Sequence, residues 1–126
     1  MNFIRILALL AVAAPTIASA QTMNAEVFLG RSKTLMAKGP MAIFSGGEIK
    51  TLMGEGQAAG KAAREARLAD VAAGRPPRYC PPPGKQGMGS NEFIQRLSAI
   101  PAAERARINM TEAMARILIQ KFPCPK

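Results

Sequence analysis

The segment from Gly74 to Gly89 restricts the fold of this chain more than any other part of the sequence. It contains five prolines and four glycines in 16 residues, and it includes Cys80. Proline lacks an amide hydrogen and glycine weakens regular elements, so neither a helix nor a central strand can continue through the segment. The sequence therefore predicts an ordered, proline-rich central loop that Cys80 tethers, with structure on both sides of it.

A first helix is predicted before this loop. Asn24 or Thr22 can cap its N-terminus, and Gly39-Pro40 ends it. The apolar positions in between follow the spacing of one helical face. They are Ala25, Phe28, Leu29, Ser32, Leu35 and Met36.

A second, long and alanine-rich helix is predicted between the first helix and the loop. Ser45 and Glu48 have the spacing of a capping box at its start, and residues 49–73 keep helical periodicity. Gly56 and Gly60 lie four residues apart and share a face. This spacing predicts either a face that another helix approaches closely or a kink.

Two further helices are predicted after the loop. Ser90 caps a short one, and Pro101 ends it and opens a turn. Asn109 or Thr111 starts the last helix, which ends at Phe122-Pro123. No segment alternates as a strand would, so the prediction is an all-α fold, a small helical domain of about four helices.

The N-terminus has the features of a cleavable signal peptide. Arg5 precedes the apolar run 6–14, and Ala18-Ser19-Ala20 provides a small-residue cleavage site. The apolar run is shorter than the roughly 20 residues that span a bilayer. We therefore expect residues 1–20 to be removed and residues 21–126 to form a single domain in the periplasm without a membrane span; a retained N-terminal anchor is the alternative.

Cys80 and Cys124 are the only cysteines. In an oxidising compartment two cysteines normally pair, so a disulfide is predicted. Closing the loop between them would stabilise the fold by roughly 4 kcal/mol in the chain-entropy model. A reactive thiol pair is the alternative, although the spacing is not that of a CxxC motif. The chain has no His, so a zinc site would lack ligands, and no cofactor is predicted.

The charge of the chain is strongly positive. Subtracting Arg5 from 17 basic residues leaves 16 against 8 acidic ones. A cluster of cations, here called the basic stretch, runs from the end of the long helix into the proline loop and is predicted to bind a partner. It comprises Lys61, Arg64, Arg67, Arg75, Arg78 and Lys85. Export disfavours nucleic acid as that partner and favours an acidic protein or an anionic envelope surface. The alternative is a solvated helix face beside a structural loop.

No catalytic constellation is present in the sequence. Without His, a nucleophile would need another base, and no hydrolase motif accompanies any serine. Half of the carboxylates fall in the predicted first turns of helices, where they complement the helix dipole: Glu26, Glu48, Glu92 and Glu112. The others are predicted to be surface charges: Glu55, Glu65, Asp70 and Glu104. The sequence thus predicts a protein that is not an enzyme.

The region 78–125 resembles the C-terminal half of the Rap/Tai immunity proteins, periplasmic helical proteins that neutralise type VI secreted peptidoglycan amidases. The resemblance is carried by Tyr79-Cys80-Pro81-Pro82, by Phe93, Ile94 and Leu97, by the break at Pro101 and by Phe122-Pro123-Cys124-Pro125. It implies a disulfide between the two cysteines, occlusion of an enzyme's active site by a protruding loop, and a homodimer. The N-terminal half departs from the family, because the long helix has no cysteine.

Three functions follow as expectations. The first is an immunity-type binding protein that inhibits a cell-wall amidase effector by occlusion. The second is a periplasmic stress chaperone similar to the HdeA type, although only 8 acidic residues are available for an acid switch. The third is an envelope-associated protein that binds polyanions through the basic stretch.

Overall fold

The computed structural model describes residues 23–126. The predicted signal peptide and the candidate cap Thr22 lie outside the described residues. The helices in this range are α1 (Ala25–Ala37), a 3-10 helix (Gly39–Phe44), α2 (Gly46–Ala72), α3 (Ser90–Ala99), α4 (Ala102–Arg105) and α5 (Met110–Lys121). The described part of the chain contains no strand, only an isolated antiparallel bridge between Asn24 and Asn109. The predicted all-α fold is confirmed.

Two of the predicted helix caps are present. Asn24 Oδ1 accepts hydrogen bonds from the backbone N–H groups of Glu26 and Val27, at 2.9 and 3.2 Å. Asn109 Oδ1 accepts one from the N–H of Glu112 at 2.9 Å. These bonds satisfy amide groups that have no partner within the helix, so both boundaries follow from local sequence.

The capping box predicted at the start of α2 is wrong. Ser45 makes no side-chain capping bond, because its hydroxyl accepts a hydrogen bond from Lys38 Nζ at 2.8 Å instead. Glu48 binds Arg31 of α1 through two hydrogen bonds of 2.7 and 2.6 Å. Ser90 is likewise the first residue of α3 and not its cap, which is Gly89.

Short helices occupy the two connections at residues 39–44 and 102–105, and the second of these was predicted to be a turn. The 3-10 helix begins at Gly39, whose φ of 53° is a conformation that glycine adopts readily. Pro101 ends α3 as predicted and is followed at once by α4. Four longer helices, α1, α2, α3 and α5, match the predicted set, and the two short ones connect them.

The core lies where α2 packs on α5, with α1 and α3 closing it from the other side. It is built from Ala25, Phe28, Leu29, Leu52, Ala59, Ala63, Leu97, Ile100, Met110, Ala113, Met114 and Ile117. Phe28 and Phe93 meet edge to face with ring centroids 5.8 Å apart. Met36, in contrast, is 53% exposed, so the predicted apolar stripe of α1 stops short of it.

The glycines of α2 do not form a close helix contact. A Cβ atom added at Gly56 or Gly60 would meet no atom within 4 Å. The buried face of α2 instead carries Leu52, Glu55 and Ala59. The predicted close approach of another helix at these glycines is therefore wrong, because the packing face lies beside them.

Glu55 is buried, and its prediction as a surface charge is wrong. Only 1% of the residue is exposed, and Oε1 accepts a hydrogen bond from the backbone N–H of Met23 at 2.5 Å. Arg105 of α4 is also buried, at 9% exposure. It donates to the carbonyl oxygens of Ser98 and Ile100 and to Glu26, and so joins α4 to α1 and to the end of α3.

The predicted disulfide joins Cys80 in the proline loop to Cys124 after α5, with Cα atoms 4.8 Å apart. Beside it, the backbone N–H of Cys80 donates to the carbonyl oxygen of Phe122 at 2.8 Å. The loop is therefore attached to the end of α5 by a covalent bond and a hydrogen bond. None of the helices among residues 23–126 has the length and apolarity needed to cross a membrane.

Candidate partner-binding surface

The basic stretch is divided between the C-terminal half of α2 and the proline loop. Lys61, Arg64 and Arg67 lie on α2, and the other three cations lie on the loop. All are exposed except Arg67, which is half-buried. The six cations therefore occupy two consecutive parts of the fold, the long helix and the loop that follows it.

Three of the six cations are in ion pairs. Arg78 forms a two-pronged pair with Glu112 of α5, with nitrogen–oxygen distances of 2.9 and 3.0 Å. Arg75 lies 3.0 Å from Asp70, and Lys61 lies 3.8 Å from Glu65. Two of the three carboxylates, Glu65 and Asp70, lie within the same segment of sequence as the cations. The third, Glu112, is 34 residues from its partner and becomes visible only in the fold.

The pair of Arg78 and Glu112 shifts both groups toward their charged forms. The hydrogen bonds from Arg78 lower the pKa of Glu112, opposed by desolvation and assisted by Arg116. The same bonds raise the pKa of Arg78. Arg78 therefore attaches the loop to α5, and its charge contributes less to a partner-binding surface than its exposure suggests.

Arg67 has a structural contact of a different kind. Its guanidinium lies over the ring of Tyr79, 5.4 Å from the centroid, and Tyr79 is only 5% exposed. Both residues line a small cavity of about 80 Å³ between α2, α5 and the loop. Within the described chain, Arg67 Nε is buried without a hydrogen-bond partner. The contact packs the loop against α2 by cation–π attraction.

No role for Tyr79 was predicted beyond its place in the family resemblance. Its signal was available, since it is the single tyrosine of the chain and stands next to Cys80 in a segment that is otherwise proline, glycine and charge. An aromatic residue in such a segment is well suited to anchor it. Tyr79 is the buried anchor of the loop.

The far end of the loop is also attached at the C-terminal end of α5. Lys121 Nζ donates to the carbonyl oxygen of Gly87 at 3.2 Å and to Glu92 of α3 at 2.9 Å. The hydrogen bonds from Lys121 and then Arg96 lower the pKa of Glu92. Residues 82–87 between these attachments are exposed, and Gly84 turns the chain there with a φ of 98°.

Arg64 and Lys85 are the two exposed cations of the basic stretch with no acidic partner among residues 23–126. Their charges are compensated only by solvent and counterions, and they are available to an anionic partner. The predicted site thus separates into cations that pair with a carboxylate or pack on Tyr79 and two exposed cations, Arg64 and Lys85, that do neither.

The described residues offer little for metal binding. No group of three or more His, Cys, Asp or Glu side chains within residues 23–126 could hold a metal ion. The absence of enzyme activity stays a prediction from the sequence.

Comparison with known proteins adds no assignment: no family model, no curated protein and no solved structure matches this chain. The resemblance of residues 78–125 to the Rap/Tai immunity proteins stays a prediction.

Proposed function

We propose that this protein is an exported, non-enzymatic immunity-type protein that binds a cell-wall amidase effector and blocks its active site with the proline loop. The observation that carries the proposal is the way the loop is held. Its base is attached to α2 and α5 through the disulfide, Tyr79 and Arg78, while residues 82–87 are exposed.

A pre-ordered loop suits occlusion for a physical reason. A loop that is disordered before binding loses conformational entropy when it docks, whereas one that is already fixed does not. The prolines at positions 81, 82 and 83 restrict the backbone further. Such a loop can enter a cleft without the loss of affinity that ordering would cause.

The charge of the surface favours an acidic partner. Arg64 and Lys85 point to a cleft with an acidic rim, because complementary charge accelerates encounter and excludes basic competitors. The family resemblance of the loop and tail supports an amidase as the partner class. A homodimer is also proposed on that resemblance alone.

The proposal is tested by affinity capture from secreted and envelope extracts, followed by an assay of peptidoglycan amide hydrolysis. We expect the oxidised protein to capture one hydrolase in stoichiometric amount and to inhibit it. The double variant Arg64→Glu/Lys85→Glu should weaken capture by on the order of tenfold or more, since two attractive charges become repulsive.

The matched control is Arg107→Glu/Lys126→Glu, which makes the same change in net charge at two exposed positions outside the basic stretch. It should leave capture unchanged. Equal loss in both double variants would show that net charge and not a site drives binding. Such a result, obtained with anionic polysaccharide in place of a hydrolase, would support the polyanion-binding alternative.

The chaperone alternative rests on one observation. All eight carboxylates of the chain accept a hydrogen bond or pair with a cation, so protonation would remove contacts throughout the fold. Capture of many unfolded proteins only at low pH, with no selective hydrolase at neutral pH, would favour it over the immunity proposal.

A further inference from the structure

The 3-10 helix Gly39–Phe44, here called the apolar tip, carries the most exposed large apolar side chains of the described residues. Met41 is 62% exposed, Ile43 75% and Phe44 78%. No side chain in the tip has a polar group, and none of its residues is buried. Exposing such an apolar surface to water is unfavourable in free energy, so a partner that covers it is favoured.

A hydrogen bond joins the two ends of the tip, and an ion pair joins the helices on either side of it. Pro40 fixes one backbone angle near its start, and Lys38 Nζ donates to Ser45 Oγ across its two ends at 2.8 Å. Below it, the two hydrogen bonds between Arg31 and Glu48 join α1 to α2. In a 3-10 helix residues three apart lie on one face, so Met41 and Phe44 share a face.

Exposed lysines flank the tip on both helices. Lys33 lies in α1, four residues before its end, and Lys38 directly follows α1. Lys50 lies in the second turn of α2. Glu48 is the single acidic residue between positions 30 and 54, and it is paired with Arg31. The hydrogen bonds from Arg31 hold the pKa of Glu48 below its ordinary value. The surroundings of the tip are therefore cationic.

The apolar tip and its cationic surroundings together favour one of three candidate partners: a second copy of the chain, a protein cleft or a bilayer. A second copy of the chain, bound tip to tip, would bring the lysines of both copies together, and their repulsion opposes that contact. A protein cleft gains specificity from hydrogen bonds, which no side chain of the tip can make. A bilayer surface needs only apolar side chains at acyl-chain depth and cations at the level of anionic headgroups.

We propose that the apolar tip is a docking site for an anionic phospholipid bilayer, with Met41, Ile43 and Phe44 entering the interface and Lys33, Lys38 and Lys50 contacting the headgroups. The binding is peripheral. It places a second anionic partner on a surface separate from the basic stretch, at the opposite end of α2.

Fluorescence provides a local test, because the chain has no Trp. Phe44→Trp in the full chain places a single indole in the tip, and Leu68→Trp places one at an exposed apolar position of α2 outside it. Residues 1–22 are common to both variants. We expect phosphatidylglycerol vesicles to shift the emission of Phe44→Trp to shorter wavelength, and brominated acyl chains to quench it, with no such response from Leu68→Trp.

Charge dependence is tested in the same background. Adding Lys33→Gln and Lys50→Gln to Phe44→Trp should weaken vesicle binding on the order of tenfold or more. Far-UV circular dichroism checks that each variant is folded. Three results would overturn the proposal: no emission shift with anionic vesicles, an equal shift in Leu68→Trp, or a shift without lipid that follows dimer formation in sedimentation.

Discussion

Glu55 and Arg105 are the charged residues that the described fold buries. Glu55 accepts a hydrogen bond from the backbone of Met23, and Arg105 donates to Glu26 and to carbonyl oxygens at the end of α3. A buried polar group costs free energy unless it is hydrogen-bonded, so each of these residues stabilises the fold only together with its partners. The bonds from Met23 to Glu55 and from Arg105 to Glu26 connect segments that are distant in sequence.

The helical spacing of α2 contained a signal for Glu55. It lies three residues after Leu52 and four before Ala59, both of which are buried, so it belongs to the same face. As a carboxylate, Glu55 would be expected at the surface, whereas its position on the helix indicates burial. The indication from position was correct. The backbone N–H of Met23, 32 residues away, supplies the hydrogen-bond donor that a buried carboxylate needs.

Replacing Glu55 with Ala tests this contact. The variant leaves the N–H of Met23 without its acceptor and opens space in the core, so we expect the free energy of unfolding to fall by about 1–3 kcal/mol in urea denaturation. Glu65→Ala is the matched control, since it removes an exposed carboxylate that lies 3.8 Å from Lys61. It should change stability by less than about 0.5 kcal/mol. Equal effects of the two variants would contradict a structural role for Glu55.

At the scale of elements, the proline loop was the most predictable part of the molecule. Residue types that leave few alternatives predicted its irregular backbone and its boundaries near Gly74 and Gly89. They also predicted the pairing of Cys80 with Cys124. The ion pair of Arg78 with Glu112 and the bond from Lys121 to Gly87 were not predicted, since each joins residues 34 positions apart. Such contacts depend on how α5 packs, which no local pattern encodes.

The elements that were predicted less well are short or compete for partners. The 3-10 helix and α4 are too short to show periodicity. The capping box of α2 had the correct spacing, but Arg31 of another helix binds Glu48 with two hydrogen bonds. Two parallel hydrogen bonds from a guanidinium to a carboxylate are stronger than one bond from a backbone N–H to the same carboxylate, so the tertiary contact replaces the local one.

The disulfide should contribute a large part of the stability. In the chain-entropy model, closing the loop between residues 44 positions apart restricts the unfolded chain by roughly 4 kcal/mol. We expect Cys80→Ser/Cys124→Ser to unfold at lower urea concentration, with a loss of about 2–4 kcal/mol. Reduced wild-type protein is the control and should match the variant. If neither reduction nor substitution changed the midpoint, the loop would owe its order to Tyr79 and the ion pairs alone.

At the scale of the whole molecule, the charges divide into two groups. All eight carboxylates are engaged within the fold, and the basic residues outnumber them 17 to 8. Among residues 23–126, five of the eight cations without an acidic partner lie where anionic partners are proposed: Arg64 and Lys85 in the basic stretch, and Lys33, Lys38 and Lys50 around the apolar tip. The fold thus uses its acidic residues for stability and leaves its positive charge for binding. Acid protonates the carboxylates but leaves the lysines and arginines charged, so low pH affects stability more than it affects the positive charge of the surface.

The acid dependence has a definite sign. Hydrogen bonds from Arg31, Lys121 and Arg78 lower the pKa values of Glu48, Glu92 and Glu112, respectively, below the ordinary value of 4.5. The unfolded chain therefore takes up protons at higher pH than the folded one. The stabilisation from these pairs is complete above about pH 4.5 and is lost as the pH falls through the lowered values.

We therefore expect a melting temperature that is nearly constant between about pH 7 and pH 5, where the chain has no His to titrate, and that falls progressively below about pH 4.5. Thermal unfolding followed by circular dichroism at constant ionic strength measures it. Glu112→Gln removes the negative charge that Arg78 and Arg116 share, so its melting temperature should be lower at neutral pH and decline less steeply in acid. A decline that began well above pH 5 would assign the transition to a group with a raised pKa and would contradict the role of these three pairs.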